Sequence, residues 1–358
     1  MALTRLGVGH SMSASITDID LPALKALAEE HGLLAVVLDG YEKYRVRGSG
    51  NGDAKEVSVP EKILLAQWIG EVSQLYEQRY EQYLHAISDL AAFYNRHGLK
   101  MMVLKGYACS LDWPKPKHRP CGDIDIWQFG RQKEADAILT RENGITIDTS
   151  HHHHTVFDWE GFMVENHYDF INVHHHKSHS ELERIFKELG KDDSNSIVVN
   201  GEKVYLPSPQ LHTLFLIKHL TLHFSTGELT IRQLLDWAFF VEKHGKEVDW
   251  KWIDGQIEYF GMKTIYGIFN AICVEDLGFN PKMFSYVGFY PDLKERVFND
   301  IFSPEFQGKT PKGLLRRICF RYHRWKANEW KHKLCYKESM WSAFWSGVWS
   351  HLLKPGSI

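Results

Sequence analysis

The chain has 358 residues and a formal net charge of −3, and 44% of its residues are hydrophobic. This length and apolar content suffice for a sizeable core in two or three domains, and the charge gives no general reason to expect nucleic-acid binding. The five cysteines form no Cys-x-x-Cys pair, the first residues form no apolar signal core, and no apolar run reaches about 18 residues. We therefore expect a cytoplasmic protein with reduced cysteines and no transmembrane segment.

The first part of the chain, residues 1–58, is expected to form a helical segment. Apolar residues recur at helical spacing between 20 and 47, and Gly32 divides them into two helices. The Gly-rich run 47–53 indicates a flexible surface loop, because no strand-to-helix frame surrounds it. Residues 60–97 then predict one long amphipathic helix.

A predicted strand, a glycine turn and a short helix follow that long helix. Residues 99–104 are almost entirely apolar and predict the strand, and Lys105-Gly106 opens the helix. A glycine at such a turn allows close backbone approach, and a helix N-terminus offers free N–H groups to an anion. Since Lys105 adds a positive charge there, we expect a phosphate-binding turn.

Two carboxylates lie close together on the next predicted strand, at Asp123 and Asp125. Alternation along a strand puts both on one face and turns Ile124 and Ile126 towards a core. Adjacent carboxylates repel each other unless a cation lies between them, and oxygen ligands favour Mg²⁺ or Mn²⁺. The pattern indicates a metal site, with a solvated strand face or a structural Ca²⁺ site as the alternatives.

A third acidic segment lies on a predicted β-hairpin over residues 155–170, whose turn contains Gly161. On its second strand Glu165, His167 and Asp169 share one face. Because His167 is two positions from Glu165 on that face, it is a candidate to bind a metal ion or to orient an acceptor.

Three segments together resemble the nucleotidyltransferase superfamily: Leu-Lys-Gly-Tyr-Ala at 104–108, Arg-Pro-Cys-Gly-Asp-Ile-Asp at 119–125 and Val-Glu-Asn-His at 164–167. Within it, the chain is similar to the bacterial group labelled uncharacterised nucleotidyltransferases. The resemblance implies an α+β fold, in which a nucleotidyltransferase-like mixed β-sheet flanked by helices occupies residues 59–206. A helical C-terminal domain is expected over residues 207–358.

The resemblance also implies an activity, the metal-dependent transfer of an NMP group from an NTP to an acceptor hydroxyl. Asp123 and Asp125 would then bind one or two Mg²⁺ or Mn²⁺ ions. Glu165 would complete the metal site and help to deprotonate the acceptor, with Asp169 as the second choice for that role.

Phosphate binding is the other role that the resemblance implies. Lys105 and the Gly106 backbone would hold the β- and γ-phosphates of the NTP. Arg119 would neutralise charge on the leaving pyrophosphate or brace its own loop. A small molecule, a sugar phosphate, a protein side chain and an RNA 3′ end all remain open as the acceptor, and so does the base of the nucleotide.

Three histidines share one face of the first helix after residue 206: His212, His219 and His223. They would line the cleft over the nucleotide or form a partly buried polar stripe towards the catalytic core. Further on, the tail 309–358 mixes tryptophans with Lys and Arg. It would contact nucleic acid or an anionic membrane surface, or its four-residue Trp spacing (341, 345, 349) would simply mark a core stripe.

A dense group of histidines surrounds the predicted hairpin. Nine of the 21 histidines fall between residues 151 and 179. Clustered imidazoles bind Zn²⁺ or Ni²⁺, but the cysteines and fixed spacing of structural zinc sites are absent, which favours polar loop residues near a phosphate site. Two alternatives to catalysis stay open: a histidine-rich metal-binding protein, and a non-catalytic nucleotide-binding or regulatory module, because Tyr107 follows the turn glycine where the superfamily commonly has Gly or Ser.

Overall fold

The structure is a computed structural model that describes residues 1–12, 16, 19–50, 58–174, 176–306, 308, 311–342 and 345. Within these residues it contains 15 α-helices and one six-stranded sheet. The strands are β1 (Met102–Val103), β2 (Ile124–Trp127), β3 (His154–Trp159), β4 (Phe162–His167), β5 (Ser196–Val199) and β6 (Glu202–Tyr205).

The helices before and within the sheet are α1 (Ala2–Gly7), α2 (Leu21–Glu30), α3 (Leu34–Gly50), α4 (Val59–Val72), α5 (Arg79–Arg96), α6 (Lys105–Ser110), α7 (Gln132–Asn143) and α8 (Lys177–Leu189). A π-helical segment, Ser73–Gln78, joins α4 to α5, so the predicted long helix is present with one change of winding. The Gly-rich run was expected to be a loop, and this is wrong for residues 47–50, which continue α3; residues 51–53 lie outside the described part of the chain.

The helices after the sheet are α9 (Pro209–Thr226), α10 (Ile231–His244), α11 (Trp250–Tyr259), α12 (Lys263–Glu275), α13 (Pro291–Phe302), α14 (Leu314–Ala327) and α15 (Glu329–Cys335). Ser208 is the N-cap of α9. Its side chain accepts a hydrogen bond from the Leu211 N–H, and Pro209 occupies the first turn of the helix. The predicted α+β class, with a mixed sheet flanked by helices and a helical C-terminal part, is confirmed.

The sheet has the strand order β3-β4-β2-β1-β6-β5 and is mixed. Strand β2 runs parallel to β4 and antiparallel to β1, and the Leu104 N–H donates to the Asp125 carbonyl at 2.9 Å. This bond brings the Lys105 turn beside the Asp-x-Asp strand. The strand expected over 99–104 is shorter than predicted, because only Met102 and Val103 of this segment pair with the neighbouring strands β2 and β6.

Two clusters of buried side chains lie on the two faces of the sheet. One cluster packs α5 and α7 against the sheet and includes Val103, Ile124 and Ile126. The other includes Leu104 on the opposite face, together with N-terminal helices and the helices after residue 208. Asp125 alternates with Ile124 and Ile126, so it faces the second cluster, where α9 packs.

The C-terminal tail is only partly described. The described Trp341 and Trp345 have exposed fractions of 61% and 57%, so the core-stripe interpretation is wrong for them, and position 349 lies outside the described residues. Arg316, Arg317 and Arg321 are exposed on α14. No helix in the described part of the chain is both long enough and apolar enough to cross a membrane.

Candidate active site

Two acidic side chains meet at the centre of the sheet because β2 and β4 are neighbours. Their register sets Asp125 opposite Glu165, and Asp123 precedes β2 directly. Asp125, Glu165 and His167 each offer a ligand atom, and these three atoms lie within 4.8 Å of one another. Three of the sequence-predicted site residues are therefore one cluster in the structure.

Basic side chains hold this cluster together. Lys105 Nζ donates to Asp125 Oδ1 at 2.7 Å, and His167 Nε2 lies 2.9 Å from the same oxygen and 3.5 Å from Glu165 Oε2. Burial opposes every charge here, but the ion pairs outweigh it: they raise the pKa of Lys105 and of His167 and lower the pKa of Asp125 and of Glu165. The cluster is therefore an ionised network.

Asp123 differs from Asp125 and Glu165 because no basic side chain of the described residues forms a close ion pair with it, although the charge of Lys105 acts on it. Within the described residues, no other side chain hydrogen-bonds its carboxylate, and burial followed by repulsion from Asp125 raises its pKa. Its main-chain carbonyl accepts a hydrogen bond of 2.7 Å from the hydroxyl of Tyr83, a buried residue of α5 that sequence reasoning missed. The hydrogen bond from Tyr83 thus anchors the backbone at Asp123.

The first turn of α6 requires a glycine at position 106. A Cβ built there would lie 2.7 Å from the Tyr83 hydroxyl oxygen and 3.4 Å from the Asp123 carbonyl oxygen. Lys105 itself has φ of 31°, a left-handed conformation that costs a non-glycine residue about 1–3 kcal/mol. Tight packing and the ion pair to Asp125 therefore hold the turn against the acidic strand.

Gly106→Ala is expected to lower the free energy of unfolding by about 1–3 kcal/mol, because the added methyl group overpacks the Tyr83 hydroxyl. It would also shift Asp123 and reduce turnover. In the double variant Gly106→Ala/Tyr83→Phe the clashing oxygen is gone, so most of that loss should be regained. Chemical denaturation of the two single variants and the double variant measures the coupling, and additive losses would contradict the packing argument.

Arg119 forms a buried ion pair with Asp236 of α10, and not with the carboxylates of the acidic cluster. Its guanidinium donates to both Asp236 oxygens, at 2.8 and 3.0 Å, and the Trp113 indole N–H donates to the same carboxylate at 2.8 Å. Arg232 Nη1 also lies 3.7 Å from the Asp236 carboxylate. Of the two roles considered for Arg119, this geometry supports bracing of its loop against α10.

Asp169 lies beyond the end of β4, which stops at His167. Its carboxylate forms an ion pair with Lys187 of α8, a helix that the sequence patterns did not predict. The next two N–H groups, at Phe170 and Ile171, donate to the two oxygens of Glu183 at 3.0 Å each. Asp169 is therefore turned towards α8 by the chain's exit from the sheet.

Two of the three α9 histidines lie near the cluster. The rings of His219 and His223 contact each other edge-to-face at 4.2 Å, and Lys105 Nζ lies 5.8 Å from the ring of Phe215, one turn earlier. Burial, the mutual contact and the charge of Lys105 lower the pKa of His219; burial and Lys105 lower that of His223 to about 4. Neutral imidazoles thus border the ionised network on the α9 side.

His212 is separate from that pair. It is buried against the Phe240 ring, with Nε2 3.7 Å from Cys109 Sγ, and burial lowers its pKa to about 4. As the pH falls from 6.5 to 4, His212 becomes protonated in the unfolded chain but stays largely unprotonated in the folded chain. We expect this residue to reduce the free energy of unfolding by about 3 kcal/mol over that interval.

The matched variant for this pH effect is His212→Gln, which does not titrate. Denaturant unfolding at pH 7.0 and 4.5 should show a smaller pH-dependent loss for the variant than for the wild type. The other buried histidines cancel in this comparison, since both proteins contain them. An equal loss in the two proteins would contradict the assignment.

A buried polar network supports the hairpin from the opposite face of β4. Asn166 and Thr155 donate to the two Asp136 carboxylate oxygens, each at 2.8 Å, and Gln132 also donates to Asp136. The network ties both hairpin strands to α7. Asn166 lies between Glu165 and His167 in β4, so the network fixes the backbone that carries both.

Two further histidines border the site, and sequence reasoning left them as polar loop residues. His154 begins β3 and is the register partner of His167, and His153 precedes it. Burial lowers the pKa of His153 to about 2 and that of His154 to about 4. The overlooked signal was the position of the histidine run at the start of the strand that pairs with Glu165 and His167.

The mixed sheet, the Lys-Gly turn, the Asp-x-Asp strand and the acid on the neighbouring strand together define a nucleotidyltransferase-like α+β protein. The chain belongs to the uncharacterised nucleotidyltransferase family, whose model matches residues 17–277. Comparison with curated proteins gave no match, and comparison with solved structures gave none either. Membership supports nucleotidyl transfer from an NTP as the general activity, and the suspected family is confirmed.

Proposed function

We propose that the chain transfers an NMP group from an NTP to an acceptor hydroxyl, with a divalent cation held by Asp123, Asp125 and Glu165. The observation that carries the proposal is the register of β2 on β4, which sets Asp125 opposite Glu165; Asp123 directly precedes β2. Convergent carboxylates in a buried setting repel each other, so a cation is their natural partner.

The donor set fits Mg²⁺ or Mn²⁺. Three carboxylates supply hard oxygen ligands, and burial, followed by repulsion from Asp125, raises the pKa of Asp123. When bound, such an ion would neutralise phosphate charge and polarise the phosphorus under attack. Asp123 and Asp125 would hold it from one strand and Glu165 from the next.

Lys105 would bind the phosphates of the NTP. Its ammonium group now neutralises Asp125, and a bound cation would take over that task. The ammonium group of Lys105 would then be free to bind the β- and γ-phosphates, which requires only a small movement of its side chain. Gly106 keeps the backbone of the turn pressed against Asp123, which places Lys105 beside the acids.

Glu165 and His167 would act on the acceptor. Burial opposes the charge of Glu165, but the contact with His167 and the charge of Lys105 lower its pKa, and the side chain is partly accessible. Glu165 would help to deprotonate the acceptor hydroxyl. His167 contacts both Asp125 and Glu165 and would keep the two carboxylates in position. The chain's contribution is positioning and charge neutralisation, as phosphoryl-transfer chemistry requires.

The experiment that tests the proposal is calorimetric titration of ATP, GTP, CTP and UTP, with Mg²⁺ and with EDTA. We expect Mg²⁺-dependent binding of at least one NTP, and its loss in Asp123→Asn. The matched control is Asp89→Asn, which removes the same charge from an exposed position on α5. Binding of no NTP under either condition would contradict the proposal.

The nucleotide that binds is then incubated with candidate acceptors, and pyrophosphate release is measured. Sugar phosphates, small hydroxyl compounds, peptides and RNA cover the acceptor classes. Release with one class would identify the acceptor. Binding without release from any class would favour the non-catalytic nucleotide-binding module instead.

A further inference from the structure

Three imidazole rings form a cluster next to the carboxylates. His153 and His154 come from the start of β3 and His167 from the end of β4, and their ring centroids lie 4.3, 5.2 and 5.6 Å apart. Each offers a nitrogen, and these three atoms all lie within 4.8 Å of one another. The antiparallel register of the hairpin produces this convergence, since it sets His154 opposite His167.

Two of these rings have buried nitrogens without hydrogen-bond partners. Both ring nitrogens of His154 and Nδ1 of His153 are buried and accept or donate no hydrogen bond within the described structure, and only 6% of His154 is exposed. A buried polar atom without a partner costs about 1–3 kcal/mol, so such atoms call for a ligand.

The charges around the cluster favour a cation. Glu165 Oε2 lies 3.7 Å from His154 Nδ1 and 3.5 Å from His167 Nε2, so a carboxylate stands between two imidazoles. The charges of Glu165, Asp125 and Lys105 together are net negative, and a bound ion would take the place of the proton on His167, whose Nε2 lies 2.9 Å from Asp125. A divalent ion among these side chains would therefore bind imidazole nitrogens, and the carboxylate of Glu165 would compensate part of its charge.

We propose that His153, His154 and His167 bind a divalent transition-metal ion of zinc-like preference, with Glu165 as the fourth ligand. Imidazole nitrogen suits Zn²⁺, Co²⁺, Ni²⁺ and Fe²⁺, whereas Mg²⁺ prefers oxygen. Around a tetrahedral ion with bonds of about 2.0–2.1 Å the ligand atoms lie about 3.3 Å apart, so the nitrogens need to approach each other by at most about 1.5 Å. Small ring rotations supply that approach.

This imidazole site adjoins the carboxylate site, because Glu165 and His167 contact both groups. A transition metal there would lie on the side of the centre where Glu165 meets the acceptor. Its use in nucleotidyl transfer rests on the proposed function, whereas its binding does not. The two are therefore tested by separate readouts.

The test uses the full chain, freed of metal by EDTA and then dialysed into excess Mg²⁺ to occupy oxygen-rich sites. Co²⁺ is titrated while visible absorption is recorded, and Zn²⁺ is then added as competitor. We expect one Co²⁺ per chain with the intense bands of a tetrahedral site, displaced by Zn²⁺. Absence of these bands would overturn the proposal.

Two histidine variants show whether the ion binds at the three-histidine site or nonspecifically along the histidine-rich segments. His154→Gln should weaken Zn²⁺ binding at least about 100-fold, more than loss of an outer partner does. His174→Gln, an exposed histidine of the second run at 174–176, should leave it unchanged. Equal effects of the two variants would overturn the proposal. His153→Gln serves in place of His154→Gln if the latter does not fold.

Asp123→Asn separates this inference from the proposed function. The variant should bind Co²⁺ as the wild type does and lose Mg²⁺-dependent NTP binding. A wild type that binds NTP but gives no tetrahedral Co²⁺ spectrum would contradict the imidazole site alone. Co²⁺ binding without any NTP binding would contradict the nucleotidyltransferase proposal alone.

Discussion

Replacing Asp123 by Asn is expected to reduce nucleotidyl transfer at least about 1,000-fold, because a cation at the reacting phosphate supplies several kcal/mol of stabilisation. The free energy of unfolding should stay the same or rise. The folded state disfavours the Asp123 charge, since burial and Asp125 raise its pKa, and the amide removes that repulsion. Turnover and denaturant unfolding measured on the same preparation check both parts.

The comparison variant for this result is Asp125→Asn. Turnover should fall as far, but the protein should also lose about 3 kcal/mol of stability, because the partly buried Lys105 and the buried His167 would lose their shared partner. The contrast between the two aspartates separates loss of chemistry from loss of fold. Turnover near the wild-type rate in Asp123→Asn would refute the proposed metal site.

Arg119→Met is expected to lower the free energy of unfolding by about 3–5 kcal/mol, because it leaves Asp236 without its two-bond partner in a buried site. Arg131→Met is the matched control. Arg131 makes the same two-bond contact with Glu134, but both side chains are nearly half exposed. Its loss should cost no more than about 1 kcal/mol.

The same pair of variants tests which role Arg119 has. If Arg119 only braces its loop, folded Arg119→Met assayed at low temperature should keep most of its NTP affinity. If its guanidinium also contacts pyrophosphate, NTP affinity should fall at least about tenfold under those conditions. Stability close to that of Arg131→Met would show that the buried pair is not what holds this loop to α10.

Local patterns predicted most of the elements that carry the site. The hairpin follows from two β-prone runs around Glu160-Gly161, and both turn residues have positive φ in the structure. The helix at Lys105 and the strand at Ile124 were also visible, because burial and strand alternation act over a few residues. The helix α8 was missed, and the strand expected over 99–104 was too long.

Placement of single side chains was less predictable, and Arg119 and Asp169 illustrate the reason. Arg119 was a phosphate candidate by its nearness to the Asp-x-Asp motif, but its partner Asp236 lies 117 residues further along the chain. Asp169 shares its face with Glu165 only if the strand continues, and β4 ends at His167. Local sequence patterns predict neither the ion-pair partner of Arg119 on a distant helix nor the residue at which β4 ends.

The sequence by itself determined the family, the α+β class and the acids on β2 and β4, because these depend on local alternation, turn chemistry and short motifs. Tertiary structure alone decided which side chains meet. The parallel pairing of β2 with β4 brings Asp125 to Glu165, and the hairpin register turns His154 towards His167. Strand pairing and register arise from contacts between segments far apart in sequence, so they emerge only when the whole sheet forms.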